Sequence, residues 1–185
     1  MLAHIRNDTQ GEVSLENVHP FNRVWKGLHV TFCHNGVCPR FSNSALYGET
    51  PLLGQTMPKD VIYHPVGDTD SEAVFCAILN ALTVEFPDGL PTLPVLHEFL
   101  SNLCEEIIEV HPESTIFNFL LGCGQDTLFA CSWPGKHMGS KVRDCLYYRV
   151  RQPSPADIVA VITTKPLTKE PGWTEFKCGK LIMFD

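Results

Sequence analysis

The amino-acid sequence predicts an α+β fold, one layered domain in which two consecutive helices follow one set of strands and precede another. Three observations carry this expectation. LHVTFC (Leu28 to Cys33) alternates apolar and polar residues and is rich in β-formers, the mark of a half-buried strand. TDSEAVFCAILNALTVEF and the segment after it keep apolar residues at i, i+3 and i+4, which gathers them on one helical face. TIFNFLLGCGQDTLFACSW then sets two β-rich runs about a Gly-containing turn, a hairpin signature. At 185 residues and 44% hydrophobic, the chain can bury one sizeable core, so residues 1–185 read as one domain.

The elements follow in order. In the opening MLAHIR, Ala3 and Ile5 would share one face of a strand and His4 and Arg6 the other, the way a strand end delivers a cation to a site. LHVTFC is expected to end at His34, Asn35 and Gly36. Residues 37–68 show little periodicity and are punctuated by Pro39, Gly48, Pro51, Gly54, Pro58, Pro65 and Gly67. An irregular stretch of about 30 residues reads as a functional loop or an insertion. Thr69 and Glu72 have capping-box spacing, and Val74, Ala77, Ile78, Ala81 and Leu82 form the core stripe behind them. Pro87, Asp88, Gly89 and Pro91 break that helix, and Pro94 suits the first turn of the next. Its stripe is Leu96, Phe99, Leu100, Leu103, Ile107 and Val110. After the hairpin, YYRVR and DIVAVITTKPL read as strands, the second almost wholly apolar and therefore central. GKLIMF closes the chain.

Charge and cysteine usage exclude several classes. With a net charge of −7 and no block of Lys or Arg, no nucleic-acid partner and no anionic-membrane role are expected. No apolar run approaches the roughly 20 residues of a membrane helix. Arg6, Asp8, Glu12 and Glu16 interrupt the N-terminus before a signal-peptide core can form. The expectation is a soluble, cytoplasmic protein. Its eight cysteines then read as reduced thiols, with Cys76 and Cys104 as small core hydrophobes. CHNGVC brings Cys33, His34 and Cys38 together. A structural zinc wants a second compact ligand pair, and Cys123 and Cys131 lie across the hairpin instead. Neither a metal nor a cofactor is expected.

Three positions could carry chemistry. Asn35-Gly36 is either a tight hairpin turn or an oxyanion hole, in which a carboxamide N–H and a backbone N–H meet one developing charge. Asp70 is either a helix-end carboxylate or a fixed anion that receives a substrate ammonium. Arg6 suits bidentate capture of a carboxylate. Together they describe a pocket for an α-amino acid whose side-chain carbonyl is attacked, which is what glutamine hydrolysis needs.

These residues sit in motifs that resemble a known family. AHIR, GEVSLENVHPF, HNG, GDTDSE, IFNFLL and DIVAVITTKPLT are similar, in that order, to the motifs of the stand-alone class II glutamine amidotransferases. Relatives of that family include the glutathione-degrading amidotransferase-like subunit of fungi and the amidase of ergothioneine biosynthesis. The resemblance implies an Ntn-hydrolase-type αββα sandwich, here lacking its first strands. It implies that Arg6 binds the substrate α-carboxylate, that Asp70 holds the α-ammonium, and that His34 lies at the substrate. Asn35 and Gly36 become the oxyanion hole, and Glu16 to Phe21 flank the pocket and position its loop. Fungal relatives work with a metallopeptidase, so a metallopeptidase-like protein partner is expected.

One departure shapes the functional expectation. The family nucleophile is a cysteine at the first position of the mature chain, whereas this sequence opens Met1-Leu2 and reaches its first cysteine at Cys33. The chain therefore reads as a family domain entered partway and inactive as given. An unpaired sheet edge and an uncovered apolar face are expected with it. The alternative is a non-catalytic γ-glutamyl-binding or scaffold subunit.

Overall fold

Side-chain alternation along the strands builds one large sheet, which the helices cover on one face and a smaller sheet covers on the other. The computed structural model describes residues 2–4, 13–42, 52–55, 62–135, 145–154 and 157–185. Strands β1 (Phe21–Trp25), β2 (Leu28–Val37), β3 (Ile116–Cys123), β4 (Thr127–Trp133) and β8 (Leu181–Phe184) form an antiparallel sheet in the order β1-β2-β3-β4-β8. Lys26 and Gly27, with φ of 47° and 82°, make the two-residue connection from β1 to β2, where positive φ matches the twist of the strands.

Helix α2 (Asp70–Glu85) lies against β1 and β2, and α3 (Leu93–Val110) lies against β4 and β8. Phe32 on β2 stacks on Phe75 of α2, with ring centroids 5.1 Å apart and planes 4° apart. Phe117, Phe119, Leu121 and Phe129 complete this aromatic core. Strand alternation therefore turns His34, two residues beyond Phe32, toward the helices and Asn35 away from them. On the far side, β5 (Tyr147–Ser154), β6 (Asp157–Thr163) and β7 (Thr174–Glu175) form a second sheet in the order β6-β5-β7. It packs through Leu146, Tyr148, Ile162 and Phe176 against Leu120, Ala130, Ile182 and Phe184. The described residues thus supply a helix–sheet–sheet stack, three layers of the expected αββα sandwich.

Several expectations are corrected. The strand begun by LHVTFC, expected to end at His34, Asn35 and Gly36, keeps all three within it and runs to Val37, because β3 pairs with it to the end. FNRVW, not anticipated, is β1. Leu2 to His4 carry no strand assignment, and Ile5 and Arg6 lie outside the described residues. Val110 is 46% exposed rather than part of the α3 stripe, since it is the helix's last residue. The capping box is half formed: Thr69 accepts the Glu72 N–H at 3.2 Å, but the Glu72 carboxylate turns to other partners. Strand β6 is an edge, not central, and Ile158 on it is 74% exposed. Of the stretch expected to be irregular, the described part is anchored. Helix α1 (Pro39–Ser42) packs on α2, Leu52 is fully buried, and Tyr63 exchanges two hydrogen bonds with Asn80 of α2.

Candidate active site at the end of strand β2

The last residues of β2 meet the first residues of α2, and hydrogen bonds fix the junction. Asp70 is 6% exposed, and its Oδ2 accepts the Cys38 N–H at 2.6 Å. Its Oδ1 has a Ser71 hydroxyl contact at 3.5 Å, which leaves lone pairs for a further donor. His34 is 2% exposed. Its Nε2–H donates to the Ile116 carbonyl at 3.1 Å, and its Nδ1 accepts the Ser71 hydroxyl at 2.8 Å. Both ring nitrogens are spent inside the protein. Burial holds the imidazole below its ordinary pKa although the nearby Asp70 carboxylate favours the cation, so the neutral ring with Nε2–H fits these partners.

Gly36 owes its identity to close approach. A Cβ there would overlap the Ile116 carbonyl oxygen and sit 2.8 Å from His34 Nε2. Only glycine lets the imidazole fold across position 36 to reach that carbonyl. The backbone direction at Gly36 follows from its neighbour. The His34 N–H donates to His19 Nδ1 at 3.3 Å, so it points to the β1 edge, and alternation sends the Gly36 N–H the same way. Pairing of β1 with β2 stops at Phe21–Phe32, so no β1 residue lies opposite Gly36. Beside it the Asn35 side chain is exposed on the face that turns from the helices. An exposed carboxamide and an edge-directed N–H on adjacent residues can donate to a single oxygen.

Sequence reasoning missed the polar row that continues from Asn35. Asn118 stands opposite it on β3 and Ser132 opposite Asn118 on β4. The Ser132 hydroxyl donates to Asn118 Oδ1 at 2.7 Å and accepts the Leu146 N–H at 2.9 Å. The available signal was an asparagine inside the apolar run IFNFLL. An amide clamp from Asn17, within the Glu16–Phe21 segment named from the resemblance, precedes α2. Asn17 donates to Asp68 Oδ1 at 2.6 Å and accepts the Asp68 N–H at 3.1 Å, and a Cβ on Gly67 would overlap Asn17 Oδ1. Arg6, the expected carboxylate receptor, lies outside the described residues.

Five of the buried thiols are unlike nucleophiles. Seven of the eight cysteines are buried and Cys178 alone is exposed. Burial pushes Cys33 up to about 11 and Cys76 and Cys123 up to about 12. Burial also raises Cys38, and the neighbouring Cys131 thiol together with burial raises Cys104. An attacking thiolate needs the opposite shift. Among the described residues no three His, Cys, Asp or Glu side chains converge as metal ligands. A cavity of about 810 Å³ opens between the sheets near Thr31, Leu128, Val159 and Phe184. It includes none of residues 34–36 or 70, so hydrogen-bond geometry rather than cavity size locates the candidate site.

The family model described as "Glutamine amidotransferases class-II" matches residues 1–185. The chain belongs to the class II glutamine amidotransferases. This amidotransferase-family chain is 31% identical over 193 residues to YafJ of Escherichia coli strain K12, which carries a provisional glutamine amidotransferase name. It is 30% identical over 200 residues to a Haemophilus influenzae protein of the same provisional designation. A 2.0 Å crystal structure of a Pseudomonas aeruginosa protein, described as a predicted glutamine amidotransferase, matches 92% of the chain with a TM-score of 0.67 at 30% identity. The two curated matches take in all of the chain but 69% of the E. coli protein and 59% of the H. influenzae protein, and the structural match takes in 63% of the P. aeruginosa chain. The α+β Ntn-type sandwich is thereby the fold of the family domain. Among the described residues no helix is long and apolar enough to cross a membrane.

Proposed function

We propose that residues 1–185 form the γ-glutamyl-binding and oxyanion-stabilising part of a glutamine amidotransferase. The observation that carries the reading is the 2.6 Å bond from Cys38 N–H to Asp70 Oδ2. It ties a buried anion to the strand end that presents Asn35 and Gly36. Asp70 receives the substrate α-ammonium and Arg6 its α-carboxylate, while the Asn35 carboxamide and Gly36 N–H meet the oxyanion. His34, with both ring nitrogens engaged, holds β2 in place rather than touching substrate. The attacking thiolate is none of the eight cysteines described above. It adds to the γ-glutamyl carbonyl, the tetrahedral oxyanion expels ammonia or an amine, and water hydrolyses the resulting thioester. Arg6 and Asp70 read only the glutamyl head, so glutamine and γ-glutamyl peptides such as glutathione both fit. The 185-residue chain alone hydrolyses neither, acts in the cytoplasm, and works with a metallopeptidase-like partner.

The test extends the chain at its N-terminus with a segment that opens with the family's nucleophilic cysteine and assays ammonia release from glutamine. Asn35→Gly keeps backbone freedom and deletes the carboxamide. It should lower kcat on the order of 10²–10³-fold with KM little changed. A folded Asn35→Gly variant with unchanged kcat overturns the oxyanion role. The alternative is a non-catalytic γ-glutamyl-binding or scaffold subunit. It predicts that the extended chain binds glutamine and releases no ammonia.

A further inference from the structure

Glu72 lies in the first turn of α2 and is 1% exposed, a costly place for a carboxylate unless its oxygens are occupied. They are. Oε2 accepts the Val66 N–H at 3.0 Å and the Gly67 N–H at 2.7 Å. Oε1 accepts the Arg23 guanidinium at 2.5 Å. Arg23 comes from β1 and also donates to the His64 carbonyl at 3.3 Å. One side chain thus joins a strand of the large sheet, the loop before α2 and the first turn of the helix. A helix-start glutamate would ordinarily turn back to its own N-cap N–H. Here Thr69 makes its half of that box, and Glu72 holds the chain two and three residues ahead of the cap.

We propose that Glu72, with Arg23, is a positioning residue that sets the Asp70 carboxylate. Only Asp68 and Thr69 separate Gly67 from Asp70. Asp68 is pinned by Asn17 and Thr69 by the Glu72 N–H. With Val66 and Gly67 also fixed, the backbone entering α2 has no slack, and Asp70 Oδ2 is held on the Cys38 N–H. Arg23 meets Oε1 while the Val66 and Gly67 N–H groups meet Oε2, so both carboxylate oxygens accept. The functional consequence rests on the reading of Asp70 as the ammonium receptor; the positioning itself does not.

The experiment compares wild type, Glu72→Gln and Arg23→Gln in the full 185-residue chain. Amide hydrogen exchange reads the geometry, and calorimetric titration with L-glutamine reads the function. Glu72→Gln preserves shape but offers one acceptor oxygen, and Arg23→Gln leaves α2 untouched in case the helix variant fails to fold. Both should speed exchange at Val66 and Gly67, and also at Cys38, whose N–H touches Asp70 and not Glu72. L-glutamine binding should weaken on the order of 10–100-fold, as when an outer partner that orients a ligand-holding group is lost. Exchange faster at Val66 and Gly67 with Cys38 unchanged would overturn the proposal and leave Glu72 a local loop fastener. Wild type that fails to bind L-glutamine, with Cys38 exchange still responding to Glu72, would overturn the reading of Asp70 and spare the positioning.

Discussion

His34 shows how much one residue can be asked to do. Its ring spans β2, β3 and α2 through Ile116 and Ser71, and burial keeps it neutral. The folded protein therefore resists a proton that the unfolded chain takes up near the ordinary histidine value of about 6.5. By linkage, His34 contributes its full stability above that pH. The contribution is lost as pH falls through the window between about 6.5 and the lower folded-state value. Urea midpoints should fall between pH 7.5 and pH 5.5, and His34→Gln should flatten that fall. An equal fall in His34→Gln would show that the ring titrates freely. The sequence showed HNG as a motif but not its internal logic. Asn35 and Gly36 were readable as oxyanion donors by residue type, whereas the reason for glycine lies in a carbonyl 80 residues downstream, Ile116. The burial of His34 was equally out of reach, because local alternation does not say which face of a strand a helix will cover.

At the scale of elements, α2, α3 and the β3–β4 hairpin were legible, and for the same reason. Each is specified by its own period and its own caps or turn. The end of β2 was misjudged because Asn-Gly is a strong turn signal, and only pairing along Ile116 to Phe119 overrides it. Strand β6 was misjudged because a short apolar run reads alike in a central strand and in an uncovered one. Among the described residues β6 is an edge of its sheet, and Ile158 on it is exposed. Ile158→Lys on that edge should leave the melting transition nearly unchanged, within about 0.5 kcal/mol. It should also reduce concentration-dependent light scattering, because charge on an edge strand opposes pairing between chains. A variant destabilised by several kilocalories per mole would show that Ile158 is covered in solution.

At the scale of the whole molecule, layering followed from element order, whereas the division into two sheets did not. The candidate site lies at one corner of the large sheet, where β2 outruns β1 and meets the start of α2. Arg6, named from the motif AHIR, lies outside the described residues, so the corner is built here from Asn35, Gly36 and Asp70. The account stands or falls on whether that corner recognises a glutamyl head. Calorimetric titration of L-glutamine into the 185-residue chain and its Asp70→Asn variant asks this without any nucleophile. Asparagine can still accept the Cys38 N–H, so the fold should persist while the charge for the ammonium is gone. The account predicts saturable binding by wild type that weakens on the order of 10–100-fold in Asp70→Asn, the worth of one charge-assisted hydrogen bond. Equal affinity of the two folded chains, or no binding by wild type, would contradict it.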